Sequence, residues 1–258
     1  MRRFLLTLLF VCISVTGFSD VANAGVTFVQ SNISDSGTTV ALTGVTAGNL
    51  IVIWVKWEGA SSNGNATCSD GTSSFAMATA GHRGTSAPSS QFGYLLSANG
   101  GNKTYTVTVP AGGGFIRLRV AEFSYTGGTL SFDVENIGSG SSTAPASGNV
   151  TTTGTDELVF GGYGEATVAT SSSPLINGLA ASTLPTQGSY TRLWYKTFAS
   201  TFTGNASITL SAAGSWVCNI LSFKISGGAP ERNRVIISGA QPALTQGNHW
   251  PKANRGEQ

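Results

Sequence analysis

Few side chains in this sequence can do acid–base or nucleophilic work. There are two histidines, His82 and His249, far apart in the chain. A serine–histidine–aspartate arrangement needs a positioned base, and no Gly-x-Ser-x-Gly elbow accompanies His82. Among the carboxylates Glu122 stands out. Ile116, Leu118 and Val120 share its parity, while Phe115, Arg117, Arg119, Ala121 and Phe123 take the other. Alternation along a strand therefore points Glu122 inward or into a groove. A buried carboxylate must be paired or hold a proton. Three readings stay open: pairing with an arginine or a backbone N–H at a sheet end, lining a binding or hydrolytic cleft, or displacement by a bulge. A glycosidase would need a second carboxylate about 5–10 Å away. Glu58, Asp70, Asp133, Glu135, Asp156, Glu157 and Glu165 are available, and sequence places none of them opposite Glu122.

The tryptophans suggest a different chemistry. Trp54 and Trp57 fall on opposite faces of one apolar run, and Trp194 with Lys196 opposes Leu193 and Tyr195. Rings on both faces leave some to stack on a sugar, unless the second face packs under a loop or a neighbour. Trp54, Trp57, Trp194 and Glu122 are thus the expected ligand-binding residues. Cys68 and Cys218 are expected to form a disulfide, which an oxidising compartment permits. Neither belongs to a paired Cys-x-x-Cys site. Asp70, in Cys68-Ser69-Asp70-Gly71, reads as a turn residue, since no EF-hand spacing supports calcium. There is no Walker or dinucleotide glycine pattern, and the triglycine Gly112–Gly114 precedes a strand and not a helix. No metal or cofactor is expected.

The elements that must position these residues are strands. Glycine contributes 34 of 258 residues, charged residues are only 10%, and apolar residues are 40%. That is enough to bury a core, at well below the usual charge content. Leu50 to Trp57 is nearly continuous in apolar character, and Tyr105, Val107 and Val109 alternate with threonines. Asn63-Gly64, Asp70-Gly71 and Gly127-Gly128 are turn signals. The pattern predicts an all-β fold: an antiparallel two-sheet β-sandwich, jelly-roll-like, with ten to twelve strands. A closed barrel or a β-helix is the alternative, the latter disfavoured because no repeat of fixed period is found.

Met1-Arg2-Arg3, an apolar run from Phe4 to Val15 and Val21-Ala22-Asn23-Ala24 read as a secretory signal cut after Ala24. The expected division is 1–24 signal, 25–229 β-sandwich domain, and 230–258 a possible edge strand and loosely ordered tail. No later run is long enough to span a membrane. Residues 25–229 hold eight Lys and Arg against nine Asp and Glu, which disfavours nucleic acid.

The phrase from Leu42 to Val52, the stretch Val120-Ala121-Glu122-Phe123-Ser124-Tyr125-Thr126-Gly127 and the closing Trp216 to Lys224 resemble β-sandwich modules of secreted bacterial proteins. That resemblance implies a jelly-roll-like carbohydrate-binding or surface-matrix domain and carries over no ligand residue. The sequence reading is thus a secreted, extracellular or cell-surface module, periplasm included. It is expected to bind an extracellular glycan or a matrix protein, with self-association possible. The alternatives are a structural surface subunit and a glycan hydrolase with paired carboxylates.

Overall fold

A computed structural model describes residues 25–59, 64–79, 88–166, 170–184 and 190–227. The expected signal (1–24), the segment from 228 onward, His82 and His249 lie outside the described residues.

The described chain is all β, in two consecutive units. The first contains β1 (Val26–Ser34), β2 (Thr39–Val45), β3 (Leu50–Glu58), β4 (Thr67–Ser69), β5 (Ala76–Met77), β6 (Ser89–Leu95), β7 (Gly101–Thr108) and β8 (Gly114–Tyr125). The second contains β9 (Thr129–Ser142), β10 (Val150–Thr151), β11 (Glu157–Glu165), β12 (Leu175–Ile176), β13 (Leu179–Ala180), β14 (Ser182–Thr183), β15 (Thr191–Phe198), β16 (Thr203–Gly204), β17 (Ala206–Ser207) and β18 (Gly214–Ser226). Unit 1 forms a five-stranded sheet, β1-β8-β3-β6-β5, and a three-stranded sheet, β2-β7-β4. Unit 2 forms the five-stranded sheet β9-β18-β11-β15-β14, the three-stranded sheet β13-β12-β17 and the pair β10-β16.

This overturns the two-sheet jelly roll. The described strands number 18 in five separate sheets, none closed. The sheets stack in layers, as three cores show. One core joins Val40, Leu42, Tyr105 and Val107 of the small sheet of unit 1 to Ile51, Ile53 and Val55 of its large sheet. A central core joins the other face of that sheet, Leu50, Val52 and Phe123, to Leu158, Phe160, Leu193 and Phe223 of unit 2. A third joins Val159, Trp194 and Ile220 to Ile176, Ala206 and Ile208. Both large sheets are therefore covered on both faces, which is why β3 and β11 read as continuous apolar runs without clean alternation.

The two units repeat one another. Replacing β1, β8, β3, β6 and β5 by β9, β18, β11, β15 and β14 reproduces the large-sheet order strand for strand. Phe28 pairs with Phe123 in unit 1, and Phe132 pairs with Phe223 in unit 2. Just after each phenylalanine the first strand carries one extra residue, between Phe28 and Gln30 and between Phe132 and Glu135. Next come Asn32-Ile33 and Asn136-Ile137, whose asparagines do the same job. Asn32 Nδ2 donates to Ala41 O at 2.9 Å, and its Oδ1 accepts from Ile33 N at 2.9 Å. Asn136 Nδ2 donates to Asn149 O at 2.8 Å, and its Oδ1 accepts from Ile137 N at 2.8 Å. In both units this ties the first strand to the second, which belongs to the opposing layer. Both units close on a glycine in the left-handed region, Gly127 (φ 87°) and Gly227 (φ 84°).

Candidate functional site

Glu122 is fully buried and belongs to a clasp that fixes the loop before β3. One carboxylate oxygen accepts from Thr46 N at 2.9 Å and Asn49 Nδ2 at 2.6 Å, and the other from Gln30 Nε2 at 2.6 Å. Of the sequence readings, pairing with a backbone N–H describes it, with two side-chain amides where an arginine was envisaged. Unit 2 shows why the carboxylate is there. In the equivalent register Ser222 stands at the place of Glu122, and Glu157 at the place of Asn49. Glu157 Oε1 accepts from Gly154 N at 2.8 Å, and Gly154 matches Thr46. The loop is tied to the last strand either way, with the carboxylate moved to the neighbouring strand. A residue whose counterpart is a serine is holding a loop.

The second clasp is more strongly charged. Asp133 accepts from Thr153 N at 2.7 Å and from the Thr153 hydroxyl, and pairs with Lys224 Nζ at 3.4 Å. Burial alone would raise the Asp133 carboxyl, but the donors from Thr153 and Lys224 hold it below the usual carboxylate range. Burial pushes Glu157 up to about 8. The Gly154 N–H opposes that rise, and the adjacent Asp133 charge adds to it. An open groove of about 400 Å³ beside this clasp is lined by Thr153–Asp156 and Lys224–Gly227.

The expected sugar platform is absent, because the tryptophans are core residues. Trp54, Trp57 and Trp194 are each 0–1% exposed. Trp54 and Trp57 do point to opposite faces, but both faces are interior. Trp54 lies in the central core, Trp57 in the outer core of unit 1, and Trp194 in that of unit 2. Glycines make room for them. A Cβ on Gly161 would collide with the Trp194 indole, and one on Gly162 with the Trp54 indole, whose Nε1 donates to Asn219 Oδ1 at 3.1 Å. The Gly-Gly of β11 is thus a two-sided cradle. With the rings buried and the stack of open sheets in place of a jelly roll, the reading as a jelly-roll glycan-binding module does not stand.

Nor does the disulfide. Cys68 and Cys218 are free and buried. Cys68 packs in the outer core of unit 1 and Cys218 in that of unit 2, with both large sheets spanning the region between them. Sheets pack about 10 Å apart, whereas a disulfide needs Cα atoms within about 7 Å. Burial raises both thiols to about 12. Asp70 is a turn residue as expected, accepting from Thr72 N at 2.9 Å and Ser73 N at 2.6 Å. Among the described residues no three His, Cys, Asp or Glu side chains gather as a metal would require.

One end of the stack carries the most exposed large apolar side chain among the described residues. Trp57 pairs with Ser89, Glu58 with Gly114, Gly164 with Thr191 and Glu165 with Trp216, so the C-terminal ends of β3 and β11 and the N-terminal ends of β6, β8, β15 and β18 meet at this end. Here the central interface turns polar. Arg119 donates to Asp35 at 2.7 Å and to the Thr191 hydroxyl across the interface, Lys56 pairs with Glu58, and Arg117 lies 4.9 Å from the centre of the Tyr190 ring. Burial lowers the Lys56 ammonium despite its Glu58 partner, and lowers Arg119 despite Asp35. At the tip stands Phe115, 73% exposed with φ 49°. A phenylalanine in the left-handed region is strained by roughly 1–3 kcal/mol. The glycines beside it are closely packed: a Cβ on Gly59 would collide with Gly112 O, and one on Gly113 would meet Val109 and Trp57. The sequence reading took Gly112–Gly114 as a turn and Phe115 as an ordinary strand residue. The available signal was an apolar ring directly after three glycines, with nothing in the pattern to bury it.

No family model, no curated protein and no solved structure matches the chain.

Proposed function

We propose that this chain is an exported recognition module of two repeated β units, which inserts Phe115 into an apolar pocket of a protein partner. The observation that carries the reading is the strained, outward presentation of that ring. Strain of this kind persists where the surroundings over-determine it, and such sites cluster at functional positions. A convex aromatic tip suits a partner that supplies the concavity, since small-molecule sites are themselves concave. Aromatic anchors of this kind dominate binding energy at protein interfaces.

The layout supports the orientation. Gly25 O accepts from Thr126 N at 2.9 Å, and Thr129 pairs with Ser226. Residues 1–24, the link between the units and residues 228–258 therefore all join the end opposite Phe115. The described units begin, join and end at one end and present Phe115 at the other, and loops on a rigid scaffold commonly carry function. Export rests on the basic, apolar and small-residue sequence of positions 1–24. Among the described residues no helix is long and apolar enough to cross a membrane.

The test measures retention of the full secreted chain on intact cells of the producing organism. Phe115→Ala should weaken retention about 30-fold, the factor of an anchor worth about 2 kcal/mol. Leu179→Ala, at the exposed Leu179 of β13, should leave it unchanged. Mild protease treatment of the cells should remove binding. Native-like binding by Phe115→Ala, or full binding to protease-treated cells, would refute the reading.

A further inference from the structure

We infer that a second copy of this chain is a partner for the central interface, by reciprocal exchange of units: unit 1 of one molecule packs on unit 2 of another. Every strand pairing in the described residues stays within one unit, β1 to β8 or β9 to β18. Among the described residues the units are joined without strand pairing, by contacts that each involve at least one side chain and by the three-residue link Thr126-Gly127-Gly128. Those contacts include the central apolar core, the Trp54 and Ser90 bonds to Asn219, the Arg119 bond to Thr191, Arg117 over the Tyr190 ring, and Thr79 N and Oγ1 on Glu135 Oε1 at 2.7 and 2.5 Å.

None of these contacts requires that both units belong to one chain. Opening the molecule breaks no sheet, and only the link must change conformation. Gly127, already at φ 87°, is the residue with most freedom to do so. An opened chain exposes the central apolar face of both large sheets, and each face is complementary to the other unit of any second copy. Two opened chains close into a two-fold dimer that restores the interface twice, a low-cost route to dimers. The link sets the balance. Three residues reach about 10 Å, so shortening it prevents closure within one chain and leaves exchange between chains unaffected.

Thr79 and Glu135 supply the readout, because they touch across the interface from different units. Full-length chains carrying Thr79→Cys are mixed with chains carrying Glu135→Cys, unfolded, refolded together at rising concentration and oxidised. Exchange gives a disulfide-linked heterodimer between positions 79 and 135, identified by peptide mass mapping, whose share grows with concentration. The same pair in chains lacking Gly127 and Gly128 should give it as the main product even at low concentration, with dimer mass by light scattering. Absence of the 79–135 heterodimer at every concentration from chains with the native link overturns the inference. So does a folded deletion variant that stays monomeric. Should the deletion variant fail to fold, the native-link mixture decides alone.

Discussion

Replacing Glu157 by glutamine should change how stability depends on pH. Glu157 is 2% exposed, and burial holds its carboxyl at about 8 against an ordinary 4.5. Below pH 4.5 the group is protonated in both the folded and the unfolded chain, and it contributes no pH dependence. Between 4.5 and 8 the unfolded chain releases the proton and the folded chain keeps it, so stability falls as pH rises. The loss is complete above about 8. At about 1.4 kcal/mol per pH unit the window sets a ceiling of about 5 kcal/mol. Solvent relaxation around the adjacent Asp133 and Lys224 reduces the expected effect to roughly 2–4 kcal/mol. The Asp133 carboxyl, already held below the usual carboxylate range, lies outside this window. Glutamine keeps an oxygen for the Gly154 N–H and cannot ionise. Urea unfolding followed by tryptophan fluorescence should therefore find Glu157→Gln within about 1 kcal/mol of the native chain at pH 5 and more stable by roughly 2–4 kcal/mol at pH 8.5. A difference between the two proteins that stays constant from pH 5 to 8.5 would refute the reasoning.

Glu122→Ala leaves the Gln30, Thr46 and Asn49 donors without their acceptor and should cost about 3–5 kcal/mol in the same assay, with Glu122→Gln costing less because it keeps one oxygen. Gly162→Ala drives a methyl into the Trp54 indole and should destabilise by about 1–3 kcal/mol with a shift in tryptophan emission, whereas alanine at Gly114, whose added Cβ would come no nearer than 3.9 Å to Glu58 O, should cost less. Cys68 and Cys218 should resist a thiol reagent in the folded protein and both react on unfolding without a reductant, by peptide mass mapping; a linked pair would contradict their separation by layers. Phe115→Gly removes the left-handed strain while losing little packing and should raise stability by up to about 1 kcal/mol, while weakening cell retention as Phe115→Ala does.

Much of the fold was written locally. Alternation placed Trp54 and Trp57 on opposite faces of β3, and glycine pairs marked the turns, because side-chain direction and turn geometry depend on neighbours a few residues away. The inward parity of Glu122 was legible for the same reason. The repeat was legible too, as Phe-x-x-x-Asn-Ile at Phe28 and Phe132 and as Phe-x-x-x-Gly-Gly at Phe123 and Phe223. It escaped a fixed-period search because the first pair is 104 positions apart and the second 100, loops of different length lying between. What β3 packs against is not a local property. A strand with two apolar faces fits an outer sheet with a spare binding face or an inner sheet of a stack, and only the packing of one unit on the other made both faces interior. That packing buried the tryptophans and set Cys68 and Cys218 in different cores. It left Phe115, beyond the last covered turn, as the aromatic ring that faces water among the described residues.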